Sequence, residues 1–180
     1  MRSFVAIEIS DSDIINSIKK FQAEINIKAK PVNPNNFHFT LQFLGEISDE
    51  LAQKVVLALK TIKFSSFIVG LQGVGAFPRS KSPRVVWIGT DEDGGNMLVQ
   101  LSKMIERLLE PLGLLPDKSF KPHMTVFRIK KKIRDITKEL ESKKAVDFGK
   151  QMVTCIKIKK SELTPNGPIY SDMGEVTASK

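Results

Sequence analysis

Two short motifs of the same form contain the residues best suited to proton-transfer chemistry. The chain has only two histidines, and each precedes a threonine by two positions: His38 precedes Thr40, and His123 precedes Thr125. Only eight of the 180 residues are threonine, so this coincidence has a chance probability of roughly one in 500. Because imidazole titrates near neutral pH, the pair could supply a proton donor and a proton acceptor at one site.

Strand alternation predicts that each motif directs its histidine and threonine to the same side. Residues 37–44 read as a strand with four large apolar residues on one face and three polar residues on the other: Phe37, Phe39, Leu41 and Phe43 against His38, Thr40 and Gln42. Residues 120–129, which include the second motif, also have strand-like sequence. The apolar face would anchor the strand in the core, leaving the polar face for chemistry.

The elements around the motifs occur twice in the same order: strand, helix, His-x-Thr strand, helix, strand. The first set is predicted at residues 2–9, 12–26, 37–44, 51–62 and 66–77, and the second at 85–89, 96–112, 120–129, 132–144 and 150–159. A tail at 161–176 adds a turn at 165–168 and one more strand. This order indicates a duplication of residues 1–80 and 84–160.

A duplicated chain of this kind predicts a single α+β domain over residues 1–180. We expect a bilobal, pseudo-twofold unit in which two antiparallel sheets face a central cleft and helices cover the outer faces. The polar faces of the two motif strands would line that cleft, so that the two histidines lie on opposite sides of it.

Composition restricts the function classes further. With 41% hydrophobic residues and no apolar run of 18 or more, we expect no membrane segment. A single cysteine, Cys155, fits a reducing, cytoplasmic setting and reads as a buried strand residue rather than a nucleophile. The net charge of +8 favours an anionic partner, most simply nucleic acid or a phosphate ester.

A phosphodiester is a substrate on which two histidines and two threonines can act without further groups. One imidazole would activate water, the imidazolium opposite would protonate the departing oxygen, and the threonine hydroxyls would donate to non-bridging oxygens. Zinc takes three or four protein ligands, which two histidines and one distant cysteine do not provide. Catalysis without a metal or other cofactor is therefore the preferred interpretation.

The motif regions resemble a known family. Residues 37–46 (FHFTLQFLGE) and 120–128 (FKPHMTVFR) are similar to the two signature motifs of the two-histidine phosphoesterases, and in particular of the RNA 2′,3′-cyclic phosphodiesterases, also described as 2′-5′ RNA ligases. Residues 2–7, 83–89, 161–163 and 167–170 resemble that branch as well. The resemblance implies metal-independent hydrolysis of a terminal 2′,3′-cyclic phosphate on RNA to a 2′-phosphate, in a bilobal fold with the site between the lobes.

The resemblance also implies a role for each motif residue. His38 matches the proton donor and His123 the proton acceptor, a polarity that the near-symmetric sequence alone does not decide. Thr40 and Thr125 match the threonines that hold the phosphate. Arg128 matches a basic substrate-binding position, although strict alternation places it opposite the second motif's face; either the strand bends, or Arg128 serves RNA or the core edge instead.

Several residues near the motifs have more than one interpretation. By alternation Phe127 shares the face of His123 and could stack on a base, although core packing is favoured. The basic loop at residues 78–84 is a candidate contact for the RNA backbone or an ordinary solvated loop. The role of Tyr170, the only tyrosine, stays open.

Alternative functions use the same residues. The reverse reaction would join tRNA halves through a 2′-5′ bond, and microscopic reversibility allows the same histidines to catalyse it. A small cyclic phosphate could replace RNA as the substrate, or the chain could be a non-catalytic RNA-binding module, although binding alone would not require both histidines. We expect RNA ends as the partner and a monomeric protein.

Overall fold

The computed structural model describes residues 1–165 and 167–179, which form an α+β fold. The strands are Arg2–Glu8 (β1), Lys30–Pro31 (β2), His38–Glu46 (β3), Phe67–Phe77 (β4), Val85–Thr90 (β5), Met124–Arg128 (β6), Asp147–Val153 (β7), Cys155–Thr164 (β8) and Gly167–Thr177 (β9). The helices are Ser12–Glu24 (α1), Asp49–Leu59 (α2), Glu92–Leu109 (α3) and Thr137–Glu141 (α4), with 3-10 turns at Pro34–Asn36 and Glu110–Leu112.

The strands form two antiparallel sheets with equivalent orders. One sheet has the order β3-β1-β8-β9, and the other contains β6-β5-β4-β7 with the short strand β2 added beside β6. In each sheet the His-x-Thr strand therefore lies next to the first strand of its own sequence repeat. The predicted fold class, two antiparallel sheets facing a central cleft with helices on the outer faces, is confirmed.

The helices bury apolar stripes against the sheets. In α1, Ile14, Ile18 and Phe21 are buried, and the Asp11 side chain accepts hydrogen bonds from two backbone N–H groups of the first turn. Helix α1 packs against β6 and β7, whereas α3 packs against β3 and β4. Each of these two helices thus supports a sheet that contains one of the motif strands. No helix within the described residues is both long and apolar enough to cross a membrane.

Two glycines, Gly94 and Gly95, lie inside α3, although the helix was predicted only over residues 96–112. The helix begins at Glu92 rather than near residue 96. A Cβ atom on Gly94 would stand 2.7 Å from the Val69 Cα, and one on Gly95 would stand 2.6 Å from the Thr90 Oγ1. The glycines are needed because the first turn of α3 packs directly on β4 and β5.

Two other predicted elements differ from the structure. The strand predicted at 150–159 is interrupted at Thr154, and its two parts, β7 and β8, belong to different sheets. The helix predicted at 132–144 is limited to Thr137–Glu141; its sequence begins with a basic run whose like charges disfavour a helix start. The turn predicted at 165–168 includes Asn166, which lies outside the described residues, although β8 and β9 flank it as expected.

Candidate active site

Strand β3 contains a β-bulge directly after Thr40. Thr40 pairs with Ala6 and Gln42 pairs with Val5, so Leu41 is an extra residue on β3. The bulge reverses the alternation that follows. Gln42 is 3% exposed and donates to the Leu114 carbonyl, whereas Phe43, assigned to the core by alternation, is 72% exposed. Phe43 therefore shares the face of His38 and Thr40, and the predicted placements of both Gln42 and Phe43 are wrong.

Strand β6 contains the corresponding bulge directly after Thr125. Thr125 pairs with Trp87 and Phe127 pairs with Val86, which makes Val126 the extra residue. Phe127 is consequently buried at 3% exposure, where it packs edge-on against Phe21 with ring centroids 6.3 Å apart. Phe127 belongs to the core, as favoured above, and does not share the face of the second motif.

Both bulges bring the residue five positions after the histidine onto the motif face. In the first repeat that residue is Phe43, and in the second it is Arg128, which is exposed. The sequence did contain a signal for this, since strict alternation would have placed a charged Arg128 toward the core, where an unpaired charge is costly. Applied to the duplicated motif, the same reasoning would have moved Phe43 as well.

The two histidines are held in the same way. The His38 Nδ1 lies 2.7 Å from the carbonyl oxygen of Asn36, and the His123 Nδ1 lies 2.6 Å from the carbonyl oxygen of Lys121, two residues before each histidine. A carbonyl can only accept, so Nδ1 must donate in both rings. Among the described residues neither Nε2 has a hydrogen-bond partner. In the neutral imidazole, Nε2 is therefore the basic nitrogen of each ring.

Aromatic rings surround the histidines. The His38 ring lies 5.0 Å from the ring of Phe4 and 5.4 Å from the ring of Tyr170, which meets it edge-on at 89°. The His123 ring lies 5.0 Å from the ring of Phe77, at 86°. Rotation of the rings is restricted by these contacts together with the carbonyl hydrogen bonds, so each imidazole is held in place before substrate binds.

The two motif strands are neighbours in the fold. Strands β3 and β6 belong to different sheets but contact each other. The Arg128 guanidinium on β6 is close enough to His38 to disfavour its protonation electrostatically. The charge of Arg128 on one motif strand therefore acts on His38 of the other. A single site that uses His38, Thr40, His123, Thr125 and Arg128 stays a prediction.

Burial weakens proton binding at both histidines. It lowers the pKa of His38 to about 4, with the positive charges of Lys159 and Arg128 acting in the same direction, against the Asn36 carbonyl and Glu8. Burial also lowers the pKa of His123, against the Lys121 carbonyl. Without a ligand, the His38 imidazole is neutral at pH 7, and a bound anion would favour its protonated form.

The two threonine hydroxyls are available to a ligand. Thr40 and Thr125 are half-buried, and neither side chain makes a hydrogen bond to another described residue. The same state at two equivalent positions leaves both hydroxyls free to donate to an acceptor.

The described part of the chain contains no cluster of three or more His, Cys, Asp or Glu side chains arranged to hold a metal ion. Cys155 is half-buried in β8, where burial and the nearby Glu175 carboxylate raise the pKa of its thiol. A raised pKa disfavours the reactive thiolate, in agreement with the strand role predicted for Cys155.

Comparison with known proteins agrees with this geometry. Residues 7–87 match the family described as LigT like Phosphoesterase. An RNA 2′,3′-cyclic phosphodiesterase of Archaeoglobus fulgidus is 39% identical over 96% of this chain and 98% of its own length, and one of Aquifex aeolicus is 40% identical over 97% and 96%. A crystal structure of Escherichia coli LigT complexed with 3′-AMP superposes with a TM-score of 0.80 at 25% identity, covering 99% of this chain and 98% of that one. With its paired motif strands and these full-length relatives, the chain belongs to the RNA 2′,3′-cyclic phosphodiesterase family of LigT-like phosphoesterases.

Proposed function

We propose that this protein hydrolyses the terminal 2′,3′-cyclic phosphate of RNA to a 2′-phosphate, with His38 as the proton donor and His123 as the proton acceptor. The observation that carries this function is the matched pair of histidines. Each is oriented by a backbone carbonyl two residues before it, and each has a threonine with an unpaired hydroxyl on the same face. Two such units on contacting strands suit in-line attack on one phosphate.

The reaction needs one proton transfer on each side of the phosphorus. His123 Nε2 removes a proton from water as the water oxygen bonds to phosphorus. The bond between phosphorus and O3′ breaks, and O3′ takes a proton from the protonated His38. The products are a 2′-phosphomonoester and a free 3′-hydroxyl. His38 ends neutral and His123 ends protonated, so proton exchange with solvent restores the starting state.

The charge of the substrate supports this assignment. The pKa of His38 is about 4 without substrate because of burial and nearby positive charge. The cyclic phosphate is an anion, and binding it beside the imidazole stabilises the imidazolium and raises that pKa. His38 would therefore become an effective acid only when a phosphate occupies the cleft.

Arg128 and the threonines are proposed to bind the phosphate. The hydroxyls of Thr40 and Thr125 would donate to the non-bridging oxygens, whose negative charge grows in the transition state. Arg128 would add charge-assisted hydrogen bonds from the side of the second motif. Because the bulge after Thr125 places Arg128 on this face, the basic position implied by the resemblance is compatible with phosphate binding.

Phe43 is proposed to contact the base of the terminal nucleotide. Its ring is 72% exposed and lies 6.2 Å from the ring of Phe4, which itself contacts His38. If His38 protonates O3′, then the ribose and its base lie on the His38 side of the phosphate. An exposed ring there can stack on any base, since every base presents a flat face.

Removing the Phe43 ring should weaken binding of a terminal base. We expect Phe43→Ala to raise KM about tenfold for a cyclic-phosphate oligonucleotide, and Phe43→Trp to retain the wild-type value. On a substrate whose terminal nucleotide lacks its base, wild type and Phe43→Ala should have similar KM values. Met152→Ala, which truncates a side chain 51% exposed on β7, is the control. An undiminished tenfold effect on the abasic substrate would rule out stacking.

The activity itself can be tested with one substrate and two readouts. An RNA oligonucleotide ending in a 2′,3′-cyclic phosphate is incubated with the protein in excess EDTA, and the product is identified by ³¹P NMR. We expect turnover that resists EDTA and yields only the 2′-phosphate. A 3′-phosphate product, or turnover abolished by EDTA and restored by a metal ion, would contradict the proposal.

The setting of the reaction follows from the composition. We propose that the protein acts as a monomer in the cytoplasm. The single cysteine suits a reducing compartment, and the net charge of +8 favours approach to RNA. Sedimentation at micromolar concentration, with and without RNA, would reveal any stable oligomer.

A further inference from the structure

Four charged side chains form a closed ring on the face of the sheet that contains His38. Lys157 Nζ lies 2.6 Å from a Glu8 oxygen and 2.8 Å from an Asp172 oxygen. Lys159 Nζ forms ion pairs with the other oxygen of each carboxylate. Glu8 is on β1, the lysines are on β8 and Asp172 is on β9, so the ring ties three strands together.

Three members of the ring, Glu8, Asp172 and Lys157, are stabilised in their charged forms. Burial alone would raise the pKa values of Glu8 and Asp172, but the two ammonium groups hold these pKa values below their usual range. Hydrogen bonds to Asp172 and Glu8 raise the pKa of Lys157. The ring contains two positive and two negative charges and is neutral overall.

Lys159 is the unusual member because it is only 5% exposed. A lysine is almost never buried this fully unless it is paired. Burying paired charges is also a poor way to gain stability, since apolar residues of similar size often serve as well or better. The ring therefore calls for a role beyond holding the sheet together, and its position beside His38 indicates one.

Two members of the ring flank His38 with opposite charges. Glu8 is the direct register partner of His38 on the neighbouring strand. Lys159 pairs with Phe4, whose ring lies 5.0 Å from the imidazole. The Lys159 ammonium disfavours the protonated form of His38, and the Glu8 carboxylate favours it to a smaller extent. The other titratable or charged neighbours of His38 are Arg128 from β6 and Tyr170 from β9.

We propose that this ring positions His38 for proton transfer, with Lys159 disfavouring the imidazolium and Glu8 offsetting part of that effect. The inference rests on the proposed role of His38 as the proton donor. A proton donor whose pKa is too low is deprotonated at neutral pH, and one whose pKa is too high does not release its proton to O3′. Because the Glu8 carboxylate and the Lys159 ammonium are ion-paired with each other, both charges stay at fixed distances from the imidazole.

The two ring members should shift the titration of His38 in opposite directions. Glu8→Gln leaves the ring with an excess positive charge and lowers the pKa of His38. Lys159→Met leaves an excess negative charge and raises it. The double variant restores neutrality and should return the pKa toward the wild-type value. Each single shift should be about half a unit or more, as expected for a charge partner near a half-buried group.

The titration can be followed by NMR without any substrate. Because the chain has only two histidines, each imidazole resonance can be assigned by replacing the other histidine, and His123 serves as the internal reference. Lys160→Met is the matched control, since Lys160 follows Lys159 on β8, points to the opposite face and pairs with Glu162. It makes the same change of net charge without altering the ring, and should leave the His38 titration unchanged.

The outcomes separate a positioning role from a structural one. The proposal is supported if the pKa of His38 shifts in opposite directions in Glu8→Gln and Lys159→Met. In the same experiments the pKa of His123 should not change, and Lys160→Met should leave the pKa of His38 unchanged. A lower melting temperature with no movement of His38 overturns it, as does an equal shift in Lys160→Met. Because this readout needs no turnover, failure of the cyclic-phosphate assay would refute the proposed function and leave this result intact. In an active enzyme, the alkaline limb of the kcat profile should move in the same direction as the His38 titration.

Discussion

Replacing either histidine with alanine should lower the turnover of an RNA 2′,3′-cyclic phosphate by a hundredfold or more. His38 and His123 are the only histidines in the chain, so no other imidazole can take over the proton transfer. The losses should appear in kcat, because both proton transfers occur in the transition state. His38→Ala should also raise KM, since the bound phosphate and the His38 imidazolium stabilise each other. Single-turnover rates in excess EDTA, measured for the wild type, His38→Ala and His123→Ala, provide the comparison.

Folding must be controlled in these variants, since both imidazoles are packed against aromatic rings. Melting temperatures and amide NMR spectra establish whether each variant keeps the native fold. The double variant should be only slightly slower than either single variant, because the two residues act as a unit on one phosphate. Undiminished turnover in either folded single variant would refute the acid-base pair.

Removing the threonine hydroxyls should have the second largest effect. We expect Thr40→Val and Thr125→Val each to lower kcat about a hundredfold, the magnitude typical of losing one donor to a developing oxyanion. Valine keeps the shape of threonine and removes only the hydroxyl, which has no partner among the described residues. The folded protein therefore loses no hydrogen bond, and stability should change little. Steady-state kinetics and thermal denaturation measure both quantities.

Serine variants make the threonine prediction specific to the hydroxyl. Thr40→Ser and Thr125→Ser keep the donor and lose a methyl group, so each should retain most of the wild-type kcat. If the serine variants were as slow as the valine variants, the methyl groups rather than the hydroxyls would matter. If the valine variants kept full activity, the threonines would have no part in stabilising the transition state.

Local sequence pattern predicted most of the order of elements and put each motif histidine on the same strand face as its threonine. Alternation correctly put His38 and Thr40 on one face because the strand is regular up to Thr40. Beyond it, the extra residue Leu41 reverses the pattern, and a rule with a period of two assigns Gln42 and Phe43 to the wrong faces. Nothing in the residues 41–43 themselves marks a bulge, so Phe43 was assigned to the core.

Longer-range organisation was also hidden from local pattern. The apolar run around residues 150–159 reads as one strand, but its two parts join different sheets at Thr154 because their pairing partners are distant in sequence. The two glycines at the start of α3 were left out of the predicted helix because glycine has a low helix propensity. In the structure they allow the helix to approach β4 closely. In each case tertiary contacts decided the outcome.

Because the two halves of the chain are duplicated, the two histidines are oriented in the same way. The residues around the two motifs differ, however, so the histidines could have different roles. The same bulge presents an apolar ring, Phe43, in the first motif and a cation, Arg128, in the second. The charge ring of Glu8, Lys157, Asp172 and Lys159 accompanies only His38. These differences would orient a substrate that has a base on one side and a charged phosphate on the other.

The most direct measurement of the central claim uses a cyclic phosphate whose 3′ bridging oxygen is replaced with sulfur. A thiolate leaves without protonation, so a missing proton donor should matter much less on this substrate, whereas a missing base should matter as before. We expect the deficit of His38→Ala, relative to wild type, to shrink tenfold or more, and that of His123→Ala to persist. Rescue of His123→Ala instead, or an unchanged deficit in His38→Ala, would contradict the assignment of His38 as the donor to O3′.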